Sequence, residues 1–139
     1  MGWRRHTLRF ILAENLPGRY GQAWTSSRGR KVSLWDIEHG RFGTTHAEIG
    51  GYLLALWGAP DAIVDAASFH HRPARSPDAA FSPLAAVHVA NAAVIAADLE
   101  IPGDTAPVDG QYLARIGCAG RLGAWRDVCQ DILSEGVLS

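Results

Sequence analysis

The stretch GTTHAEIGGYLLALWGAPDAIVDAASFHHRP, residues 43–73, decides how this chain is read. Thr45 is followed three residues later by Glu48, the spacing of a capping box, so a helix begins at His46. His46, Ile49, Leu53 and Trp57 recur at helical spacing, and Tyr52, Leu54 and Leu56 widen the apolar face. Gly58 is placed to close that helix, and Pro60 to open the next in its first turn. In the second helix, DAIVDAASFHH, Ile63, Val64, Ala67 and one of His70 or His71 share a side, and Pro73 stops it. A Gly-Ala-Pro turn this tight predicts antiparallel helices. The start of one then lies beside the end of the other, and His46 is expected to meet the His70–His71 pair.

Outward from this stretch the signals stay helical. Leu8, Ile11, Leu12 and Leu16 recur at helical spacing, and Pro17-Gly18 is expected to end that segment. A further helix is expected from about Arg19 to Ser27, with SSRGRK as an exposed loop. VSLWDIEHGRF starts a short helix with Ser33 as its cap. Ser82-Pro83 opens a long Ala-rich helix to about Asp98, on which His88 and Asn91 share a face. Asp109 caps a short helix through Arg115, and a last helix covers about Arg121 to Ser134. Nothing alternates as a strand would, and no repeat is present. The expectation is an all-α, compact bundle of six to eight short helices, one domain over residues 1–139.

Composition excludes several function classes. Thirteen basic and fourteen acidic residues give a net charge of −1, with no basic stripe to bind nucleic acid. No run of eighteen apolar residues offers a membrane span. The start, MGWRRHTLRFILAENLP, imitates a signal peptide, but Glu14 and Asn15 break its apolar run and no cleavage site follows. Cys118 and Cys129, eleven residues apart, would stand about 16 Å apart on one helix, too far to bridge. Two reduced thiols point to the cytoplasm.

Histidines converging from helix ends suit a transition metal, and hydrolysis of a phosphate ester would also require carboxylates. Among the acids near this stretch, Glu48 belongs to the capping box, and Asp61 and Asp65 sit where a helix start favours negative charge. Asp78 falls in a loop. None stands out as a ligand. Each histidine also has a plain structural role open to it. His46 fits a hydrogen-bonded first-turn position, His70 and His71 fit the negative end of a helix dipole, and His88 fits the core. Asn91 fits a satisfied amide between helices. Ser68 near His70 lacks an acid to orient a base and an oxyanion site.

The 43–73 stretch, continued through FSPLAAVHVANAAV and preceded by ILAENLPGRY and LWDIEHGRFG, resembles an HDOD domain, most strongly over residues 43–98. HDOD domains are bacterial signalling relatives of the HD and HD-GYP phosphohydrolases. The resemblance implies an all-helical fold and a non-enzymatic signalling or interaction role. His46 and the His70–His71 pair match histidine ligand positions of the active enzymes. The other positions depart. RRHTLRFILA puts Arg5 and His6 at the place of the His-Asp pair, and Asn91 stands at the place of the late Asp. The resemblance therefore implies a degenerate metal site with no catalytic residue. His46, His70, His71, His88 and Asn91 form a ligand pocket or its remnant, and no cofactor is expected beyond a weakly bound divalent metal on His46, His70 and His71. The alternative is a metal-dependent phosphohydrolase acting on a nucleotide or cyclic dinucleotide, with its acid drawn from Asp65 or Asp78. Such domains carry further helices before the His-Asp motif, so the chain resembles the C-terminal two-thirds of one. The apolar face of residues 8–16 is then expected to meet a protein partner or a second copy.

Overall fold

The computed structural model describes residues 14–30, 32–103 and 107–136. Among these residues it is all helical. Seven α-helices follow in order: α1 Pro17–Arg30, α2 Leu34–Phe42, α3 His46–Leu56, α4 Asp61–Phe69, α5 Pro83–Asp98, α6 Gly110–Arg115 and α7 Leu122–Ser134. Single 3-10 turns lie at Pro73–Arg75 and Ala119–Arg121.

The capping box forms as its spacing predicts. The Glu48 backbone N–H donates to Thr45 Oγ1, and the Thr45 backbone N–H donates to Glu48 Oε2 at 3.0 Å. Asp109 caps α6 by accepting from the Tyr112 N–H at 2.9 Å. Gly43 closes α2 in the left-handed region, φ 69°, where a side chain would clash with the backbone, and its N–H donates to His39 O. That turn folds the chain back so that α3 starts beside the middle of α2.

α3 packs most extensively against α4. Gly50 and Gly51 are buried on α3, and Gly51 lets the helices approach closely. A Cβ built on Gly51 would stand 1.8 Å from Ser68 Oγ, 3.0 Å from its Cβ and 3.3 Å from its Cα. Rotating the hydroxyl relieves only the first clash, so α4 itself would have to shift. Gly51→Ala is therefore expected to destabilise the fold by about 1–3 kcal/mol, despite alanine's better helix propensity. A urea titration showing Gly51→Ala as stable as the parent would refute this packing.

Two larger apolar clusters hold the helices, beside a small one of Ala92 and Ala96 with Ile101 and Val108 against them. One joins Tyr20, Ala23 and Leu34, with Leu16, Ile37, Phe42 and Ile49 against them. The other joins Ala66, Leu84, Ala85, Val89, Tyr112, Leu113 and Cys118. The small residues of α5 let it lie close to α4 and α7.

Helical residues 14–15 give way to a bend at Leu16, so the first segment stops before Pro17 as expected. α1 starts at Pro17 rather than about Arg19, because proline's fixed φ and missing N–H suit a first helical turn. Two further expectations need correcting. SSRGRK is not a loop from its first residue, since α1 runs on through Arg30. Its C-terminal end is held by buried Ser27, whose hydroxyl donates to Val32 O. Trp57 is not on the core face. It follows the last turn of α3 and is 71% exposed. Residues 8–13, which carry most of the N-terminal apolar face, lie outside the described residues.

Candidate functional site

α3 begins and α4 ends at the same place, and this brings three imidazoles together. One ring nitrogen from each of His46, His70 and His71 lies within 4.8 Å of the others. His46 and His70 are buried, and His71 is half-buried. Among the described residues no other trio of His, Cys, Asp or Glu converges in this way. Asp65 and Asp78 do not join the cluster.

Behind His46 stands Glu38, on α2, a residue the sequence reading passed over. It is fully buried. Its Oε2 accepts from His46 Nδ1 at 2.6 Å and from the His46 backbone N–H at 2.9 Å, and its Oε1 accepts from the Tyr20 hydroxyl at 2.6 Å. The carboxylate therefore also caps α3, at the positive end of that helix dipole. Burial alone would raise the Glu38 carboxyl. The hydrogen bond from His46, and after it that from the Tyr20 hydroxyl, hold the carboxyl below its ordinary 4.5.

The direction of hydrogen bonding through the cluster follows from Glu38 when the imidazoles are neutral, the form that can bind a metal. An ionised carboxylate only accepts, so a neutral His46 carries its proton on Nδ1 and has the lone pair on Nε2. His71 Nε2, 3.0 Å from His46 Nε2, then donates to it. His71 Nδ1 then accepts, and Asn91 Nδ2 faces it at 3.4 Å. A chain runs from Asn91 through His71 and His46 to Glu38. His70 is oriented separately: its Nδ1–H donates to Ala67 O at 2.8 Å, which leaves the lone pair on Nε2.

His88 sits beside the trio rather than in it. Its Nδ1–H donates to His70 O at 2.6 Å, and its Nε2 accepts the Asp109 backbone N–H at 2.9 Å. Burial pushes its pKa below the usual 6.5, in keeping with a neutral ring that accepts at one nitrogen. It ties the end of α4 to the start of α6.

A cleft of about 220 Å³ opens onto His70, His71, His88 and Asn91. On its rim the Arg72 guanidinium lies 4.5 Å over the ring of buried Trp35. Trp35 stacks on His39 at 5.4 Å and meets His71 at 5.9 Å. Trp35 thus backs the exposed side of the histidine cluster.

The fold and site define an all-helical domain centred on buried histidines at a helix–helix junction. The HDOD domain model matches residues 8–73, and that stretch is of HDOD type. It includes Glu38, His46, His70 and His71 and stops short of His88 and Asn91. Searches of curated proteins and of solved structures found no match. Among the described residues no helix is long and apolar enough to cross a membrane.

Proposed function

We propose that this chain is a non-enzymatic, cytoplasmic signalling or interaction module of HDOD type, built around what is left of an HD-type metal site. The observation that carries this reading is the donor set. Among the described residues the converging groups are three imidazoles with no carboxylate among them. Glu38, the one buried acid among the described residues, faces the back of His46 and is engaged by Tyr20 and His46. A two-ion hydrolytic centre needs anionic oxygens to bridge its ions and to draw the proton from water. These residues do not fit that centre. The test is hydrolysis of bis-p-nitrophenyl phosphate and of cyclic dinucleotides with added Mn, Fe or Zn. No turnover above that of His46→Ala is expected. Metal-dependent hydrolysis abolished by His70→Ala would overturn the reading.

A second reading concerns the same histidines and is compatible with the first. Three neutral imidazole nitrogens, two with their protons fixed on Nδ1 by a carboxylate and a carbonyl, suit one late first-row divalent ion, with zinc the natural probe. The residues present fit a single ion. His46, His70 and His71 would hold it through Nε2, and the cleft beside His70 and His71 would admit it. Its chemistry there would be cross-linking of α3 to α4.

A further inference from the structure

The two residues behind His46 and His71 differ in kind. Glu38 has only acceptors, so His46 has one tautomer whatever happens in front of it. Asn91 has a donor and an acceptor on one rotatable amide. Its Nδ2 serves His71 Nδ1, while its Oδ1 is buried and makes no hydrogen bond among the described residues. Asn91 as a whole is only 6% exposed, so that carbonyl gains little from water. A buried amide oxygen left in this state costs stability unless some other state of the protein uses it.

We propose that Asn91 is a reversible positioning residue. Its amide turns over when a divalent ion enters, and this lets His71 exchange one tautomer for the other while Glu38 holds His46 fixed. The proposal rests on the single-ion reading above. Without the ion and with both rings neutral, His71 donates from Nε2, because His46 Nε2, 3.0 Å opposite it, then has only a lone pair. With the ion, His71 must offer its Nε2 lone pair, and the proton belongs on Nδ1. Turned over, the Asn91 amide presents Oδ1 to that Nδ1–H, so the acceptor left idle in the first state is used in the second. The exchange is neutral in protons: His71 releases one to solvent from Nε2 and takes one from solvent at Nδ1. An aspartate at 91 would accept in both states and would oppose the ion-free arrangement.

The experiment is long-range ¹H–¹⁵N correlation of the imidazoles in the full chain, recorded without metal and after titration with Zn²⁺. His46 is expected as the Nδ1–H tautomer in both spectra. His71 is expected as Nε2–H without zinc and as Nδ1–H with zinc. Asn91→Leu removes both amide groups. It is expected to weaken zinc binding at least about tenfold while leaving the His46 tautomer unchanged. A simple packing role for Asn91 would not move the His71 tautomer. Zinc bound with His71 in the same tautomer as before, or with parental affinity in Asn91→Leu, would overturn this proposal alone. No zinc binding would overturn the single-ion reading and this proposal with it.

Discussion

Replacing Glu38 with alanine is expected to cost about 3–5 kcal/mol of folding stability, because it strands several buried donors that each cost about 1–3 kcal/mol when left unsatisfied. Glu38 and His46 are essentially inaccessible to solvent, so water cannot stand in for the lost carboxylate. The substitution strands the Tyr20 hydroxyl, the His46 ring N–H and the first backbone N–H of α3 together. It also leaves a void between α1, α2 and α3. Glu38→Gln should be much milder. The glutamine carbonyl can accept both His46 protons, and its amide can face the Tyr20 oxygen, which is able to accept. Urea unfolding of the two variants separates the claims. A loss below about 1 kcal/mol in Glu38→Ala would show that the buried network is not what fixes α3 to α2.

His88→Ala is expected to be the next most damaging change, at about 2–4 kcal/mol. It orphans two buried or half-buried backbone groups, His70 O and Asp109 N–H, each costing about 1–3 kcal/mol when left unsatisfied. The effect should spread to both ends of the latch. Hydrogen exchange should quicken at the C-terminal end of α4 and the start of α6, while the α1–α2 pair keeps its protection. Uniform loss of protection across the chain, or none, would show that His88 does not tie these two elements.

The parts of this fold that could be read from the sequence are those written in local chemistry. Thr45 and Glu48 lie within one turn of each other, and Gly58 and Pro60 mark the turn between α3 and α4 wherever they sit in the fold. That pair of antiparallel helices is enough to predict the meeting of His46 with His70 and His71. Glu38 was not legible in the same way. It lies eight residues before His46, across a turn made by Gly43, in a nine-residue helix whose polar residues read as a solvent face. Only the fold-back of α3 onto α2 turns it inward. The signal available was modest: an acid between Ile37 and Phe42, shortly before a glycine stop and a new cap. α1 was misjudged because Ser26, Ser27 and Gly29 favour loops locally, yet buried Tyr20, Ala23 and Ser27 hold the helix in place. Trp57 was misplaced because helical spacing was extended into the closing turn, where the chain has already left the α3 face.

The same distinction bears on the site. Residue types at matched spacing place three imidazoles at one junction. Which nitrogens face inward depends on groups from three other places, Glu38 on α2, Ala67 within α4 and Asn91 on α5. Tautomers belong to tertiary structure, and no pattern in the 43–73 stretch encodes them.

Under the proposed reading, His46, His70 and His71 supply donors for one ion and not for the bridged pair that hydrolysis would require. Non-denaturing mass spectrometry of untagged protein, loaded separately with Mn, Fe and Zn, decides between the two. One zinc per chain is expected, lost in His46→Ala, with no species carrying two ions of any of the three metals. A stable two-ion species that requires His46, His70 and His71 would overturn the reading.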